Sequence, residues 1–83
     1  MDITAIIVSF LIGEGVRATT NGKYVVAFQK LDEIFEIEPG TSKSFSYKIL
    51  EGLYDSDMVS DVTIQEEEIN ISFYLKYCPN VGR

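Results

Sequence analysis

Apolar residues at helical spacing open the chain. Ile3, Ile6, Ile7, Phe10 and Leu11 share one face of a 3.6-residue period. Asp2, just ahead of them, can accept a backbone N–H bond, and its charge suits the positive end of the helix dipole. The spacing predicts a first helix that stops at Gly13 and Gly15. Its β-branched residues would also suit a strand, which is the alternative.

Asn21-Gly22 then supplies the residue pair that a two-residue hairpin turn favours. It predicts a hairpin between Val16–Thr20 and Lys23–Gln29. Pairing about that turn puts Val16, Ala18, Val25 and Ala27 on one face, with Arg17, Thr19, Tyr24 and Val26 on the other. Phe35 and Ile37 alternate with Glu36 and Glu38, the pattern of a further strand, and Pro39-Gly40 ends it. Thr41, Ser42 or Ser44 can cap a second helix with Phe45, Ile49, Leu50, Leu53 and Tyr54 as its apolar stripe. Gly52 weakens that helix modestly.

The last segment alternates most strongly. Val62, Ile64, Ile69, Ile71, Phe73 and Leu75 point one way. Thr63, Gln65, Asn70, Ser72, Tyr74 and Lys76 point the other, as in an antiparallel hairpin with one dry face. Pairing Ile64 with Ile69 leaves Gln65–Glu68 as a four-residue loop. The expected fold class is therefore α+β, in the order α-β-β-(β)-α-β-β. It would be a two-layer sandwich, an antiparallel sheet of four or five strands with two helices on one face. Helix-then-hairpin occurs twice, but the residue identities of the two halves do not correspond.

Composition narrows this further. Eighty-three residues make a single small domain over 1–83, with a core near the lower limit of independent stability. Ten Phe and Tyr residues and an apolar fraction of 46% suffice for a folded core. Cys78 is the only cysteine, which excludes an internal disulfide and suits a reducing, cytoplasmic setting. The run Ile6–Ile12 is too short to cross a bilayer, and Asp2 replaces the basic flank of a signal peptide. No membrane association is expected.

Charge is distributed unevenly. Eleven of the thirteen acidic residues lie between Asp32 and Glu68, opposed there only by Lys43 and Lys48. That stretch carries a formal −9 and the remainder +3, a lopsided field of the kind that steers encounter with a charged partner.

The candidate chemistries thin out against these numbers. Asp55, Asp57, Asp61 and Glu66 fall at positions 1, 3, 7 and 12 of a calcium loop, but Val59 and Ser60 stand where an oxygen ligand and a glycine belong. With no His and one Cys, a zinc site has no ligand set. Without His, no side chain titrates near neutrality unperturbed, and Cys78 has no imidazole to activate it. Gly13-Glu-Gly15 lacks the remaining glycine and the preceding strand of a phosphate loop. The seven bases are scattered rather than clustered, which argues against direct nucleic-acid binding. No enzyme activity, cofactor or metal is expected.

The expectation is a non-enzymatic binding protein that docks an anionic face on a basic partner protein. Its candidate contact residues are Glu36 and Glu38 on the third strand, Asp55, Asp57 and Asp61 in the linker, and Glu66, Glu67 and Glu68 in the hairpin loop. The extreme form is nucleic-acid mimicry, with carboxylates standing where phosphates lie. In size, acidity and cysteine poverty the chain resembles small phage-encoded antagonists of host nucleic-acid machinery, anti-CRISPR proteins among them. That resemblance implies a viral inhibitor of a nucleic-acid-handling protein such as a CRISPR effector, and it assigns no residue roles. The alternative is a homodimeric structural module whose acidity serves solubility. A small enzyme or metal protein is the third reading.

Overall fold

The computed structural model describes residues 2–82, so Met1 and Arg83, the two ends of the expected 1–83 domain, lie outside the described residues. The chain runs α1 (Ile3–Ala18), β1 (Lys23–Ala27), α2 (Phe28–Ile34), α3 (Thr41–Ser44), α4 (Ser46–Tyr54), β2 (Val59–Gln65) and β3 (Glu68–Phe73). A short 3₁₀ turn at Leu75–Tyr77 follows. The protein is α+β, with an antiparallel three-stranded sheet ordered β1-β3-β2.

The β2–β3 hairpin follows the alternation in the sequence. Ile64 faces Ile69 across the pair as expected, and Ile69, Ile71 and Phe73 are buried, but Ile64 itself, expected on the dry face, is exposed. Its turn is shorter than the expected four-residue loop. Gln65 pairs with Glu68, so only Glu66 and Glu67 remain in the connection. Glu66 takes the left-handed conformation, with φ 57°, which lets so short a turn close. Leu75 leaves the sheet in the 3₁₀ turn and is exposed.

The hairpin expected about Asn21-Gly22 does not form. Val16–Ala18 are the last turn of α1, and Thr19 caps it by donating its N–H to the Gly15 carbonyl. Thr19 Oγ1 donates to the Lys23 carbonyl at 3.0 Å, and the Lys23 N–H donates to Asn21 Oδ1 at 3.0 Å. Gly22, at φ 81°, completes the turn. The left-handed glycine therefore joins a helix to a strand. Gly13 and Gly15 do not stop α1 either. A Cβ at Gly15 would overlap the Phe73 ring, so glycine is needed there for the helix to approach β3 closely. Gly13 has open space around it.

The strand expected at Phe35–Glu38 is also absent. Phe28, Leu31 and Asp32 are buried at helical spacing, and α2 ends β1 at Ala27, short of the expected Gln29. Phe35 caps α2, and the left-handed Glu36 (φ 53°) turns the chain out of any extended path. Phe35 packs edge-on to Phe10, with ring centroids 5.3 Å apart. The sheet thus has three strands rather than four or five, and the order is α-β-α-α-α-β-β. The expected second helix is split into α3 and α4 at Phe45 (φ −100°, ψ 12°), with Ile49 and Leu53 buried from α4.

α1 and α4 pack against each other, α1 over β1 and β3 and α4 against β2. The opposite face of the sheet is an open hollow flanked by Lys23, Val25, Asp61, Thr63 and Asn70. Both outer strand edges carry local protection. The outward backbone groups of Lys23 are taken by Asn21 and Thr19, and the Val62 carbonyl accepts the Tyr54 hydroxyl at 2.9 Å. No helix among the described residues is long and apolar enough to cross a membrane.

Two glycines of α1 should respond oppositely to alanine. Gly13→Ala should stabilise by about 0.5–1 kcal/mol, because helix propensity improves and nothing is displaced. Gly15→Ala should destabilise by about 1–2 kcal/mol, since moving the buried Phe73 ring outweighs the same propensity gain. Urea midpoints at constant m-value would measure both.

Candidate functional site

All eight acidic residues singled out in the sequence are exposed. They do not share one face. Glu36 and Glu67 line a groove of about 470 Å³ between α2, the α2–α3 loop and the β2–β3 turn. Asp32 and Glu33 line it as well, over apolar walls from Phe28, Ile37 and Pro39. Lys43 is the only base in the lining, and it is paired with Glu67. Asp55 and Asp57 sit at the other end of β2, whose seven residues span roughly 20 Å. Asp61 lies on β2, where it lines the open sheet hollow. Glu38, Glu66 and Glu68 are outside the groove lining.

Asp32 gives the groove its shape. It is only 6% exposed, and its carboxylate accepts the N–H of Gly40 at 2.8 Å and of Ser42 at 2.9 Å. These two bonds tie α2 to the start of α3 and close the intervening loop into a fixed wall. The Ile37 N–H adds a bond to the Asp32 carbonyl. Burial pushes the Asp32 carboxyl up, but the Ser42 hydroxyl and the amides of Ser42 and Gly40 outweigh it and hold the group below the usual carboxylate range. The Ser42 hydroxyl is fully buried and completes no hydrogen bond of good geometry, whereas both amides do.

Glu36 reaches the groove from a left-handed turn and not from a strand face. Asp32 and Glu33 fall between the strand expected to end at Gln29 and the one expected at Phe35–Glu38, where the sequence predicts no element. Their signal was the Phe28-x-x-Leu31-Asp32 spacing, a single helical turn too short to stand out. Among the described residues, no group of three or more His, Cys, Asp or Glu is placed to hold a metal ion.

Asp32 should report on the loop through pH. Its folded pKa lies below the unfolded value, so its contribution is complete above about pH 4 and is lost as pH falls through the folded pKa. Asp32→Asn should cost about 1.5–3 kcal/mol near neutrality, the range for hydrogen bonds to a charged group. The difference between variant and wild type should shrink on acidification below pH 4, as read from urea unfolding at a series of pH values. Compared with protein-family models, with curated proteins and with solved structures, the chain matches none.

Proposed function

We propose that the protein is a non-enzymatic binding module whose acidic groove receives a basic segment of a partner protein. The observation that carries this reading is the convergence of Glu33, Glu36 and Glu67 around an apolar floor whose only base is already paired. An apolar floor with an acidic rim suits a segment that offers Lys or Arg heads on aliphatic stems. Surfaces that bind nucleic-acid phosphates are built of such side chains. The partner is accordingly a nucleic-acid-handling protein, with CRISPR effectors among the class, and the module acts by occupying that basic surface.

Backbone cost supports the reading. Glu36 and Glu66 both hold positive φ, a conformation that costs an L-residue about 1 kcal/mol and that glycine or asparagine takes more easily. Of the two, Glu36 lines the groove, where a glutamate is better accounted for by its charge than by its fit to the turn. Catalysis is served less well. The buried carboxyl of Asp32 is held low and occupied by two amides, unlike a general base poised near neutrality. Self-association through a sheet edge meets occupied backbone groups at Lys23 and Val62. The buried free thiol of Cys78 suits a reducing, cytoplasmic setting.

A cationic peptide with alternating Arg and Leu provides the test, titrated calorimetrically at low and high salt. Glu33→Gln, Glu36→Gln and Glu67→Gln combined should weaken binding roughly tenfold and flatten its salt dependence, given rim charge pairs of about 0.2–1 kcal/mol each. An unchanged affinity and salt slope would sink the reading. Separately, Glu36→Gly should raise stability by up to about 1 kcal/mol while weakening the peptide. A gain in stability with full binding would remove the groove glutamate from the interface.

A further inference from the structure

α4 carries a second surface that the groove does not use. Ile49 and Leu53 turn inward, while Tyr47, Leu50 and Tyr54 lie roughly a third of a turn around the helix. Tyr47 is 82% exposed and Tyr54 54% exposed, so two aromatic rings stand in solvent on one helical stripe. With Leu50, Glu51 and Asp55 they line a shallow groove of about 290 Å³ that contains no base. Neither Glu51 nor Asp55 is in an ion pair among the described residues. Tyr54 is held in place by the 2.9 Å bond from its hydroxyl to the Val62 carbonyl, and Asp61 Oδ1 lies 3.3 Å from the same hydroxyl.

We propose that this face is a docking site for an arginine-bearing segment of a partner protein, with Tyr47 and Tyr54 stacking on guanidinium groups and Glu51 and Asp55 pairing with them. Tyrosine is a preferred interface residue because it offers a large rigid area with little entropy to lose. The carboxylates beside the rings favour a cationic occupant, with Lys48 lining the adjoining hollow that shares Glu51 and Asp55. The combination selects Arg over Lys, because the guanidinium plane can lie on a ring while its N–H fork meets a carboxylate. This surface shares no lining residue with the Glu33–Glu36 groove, so it stands independently of that reading.

The experiment compares two helical peptides, one with Arg at positions i and i+4 and its Lys twin, by NMR titration of the full chain. The Arg peptide should shift the Tyr47 and Tyr54 ring signals and bind at least about fivefold more tightly than the Lys twin. Tyr47→Ala, at a side chain too exposed to support the core, should abolish that preference. Glu33→Gln with Glu36→Gln should leave it intact, which separates this surface from the acidic groove. Equal affinity for the twins, shifts confined to the Glu33–Glu36 groove, or no binding would each overturn the proposal. Ring shifts that depend on protein concentration without peptide would assign the face to a second copy and overturn it as well.

Discussion

Strand β3 is the element on which the rest of the molecule depends. A three-stranded sheet has one central strand, and β3 spends the backbone hydrogen bonds of both its edges on β1 and β2. Its inward side chains, Ile69, Ile71 and Phe73, are 0–3% exposed and form the floor under α1. Burying each contributes about 1.5–3 kcal/mol, a large fraction of the stability available to so short a chain. The helix can settle on that floor only where its own side chains permit. Gly15 provides the gap into which the Phe73 ring fits.

The flanking strands inherit their constraints from this arrangement. Each has one outer edge, and on each edge side chains that precede the strand take up outward backbone groups at one position. Thr19 and Asn21 do so at Lys23 of β1, and Tyr54 does so at Val62 of β2. The same side chains also fix connections, for Thr19 and Asn21 form the α1–β1 turn and Tyr54 anchors α4 along β2. Between the flanking strands the chain must travel from β1 to α4, and α2 and α3 make that passage. Asp32 replaces a longer packed element there. Two amide bonds to one carboxylate hold a loop whose other anchor is the Phe35 ring against Phe10. The acidic groove is the outer surface of that passage.

Legibility in the sequence followed the source of each element's order. The β2–β3 hairpin was readable down to the Ile64–Ile69 register, because the alternation on β3 reflects burial on one face. Asp2 as the cap of α1 was readable for an equally local reason. Where tertiary contact decides, the local signals misled. Glycine at position 15 reads as a stop until Phe73 is seen beside it, and Asn21-Gly22 reads as a hairpin until Thr19 is seen capping a helix. The α4 stripe fails in a related way. Tyr54 looks like core when only spacing is counted, but Ile49 and Leu53 fill the inward arc, Leu50 packs on its margin and Tyr54 stands 54% exposed. Of the eight acidic positions, only Glu36 and Glu67 meet in one groove, since convergence depended on strand number and turn length.

Charge in this protein is therefore placed by backbone geometry as much as by count. A solubilising excess of acid needs no particular backbone, and any exposed strand or helix position would serve it. Glu36 and Glu66 instead occupy left-handed turns where a carboxylate side chain carries a steric cost and glycine would not. Those turns are anchored by hydrogen bonds. The first follows the segment that Asp32 ties to α3, and the second closes a two-residue hairpin connection registered on the central strand. A charge fixed to such a turn keeps its direction, whereas the same charge on a flexible segment would average its field over many orientations. Fixed direction is of no use to solubility. It is what a surface needs in order to discriminate between partners that differ in where their positive charges lie.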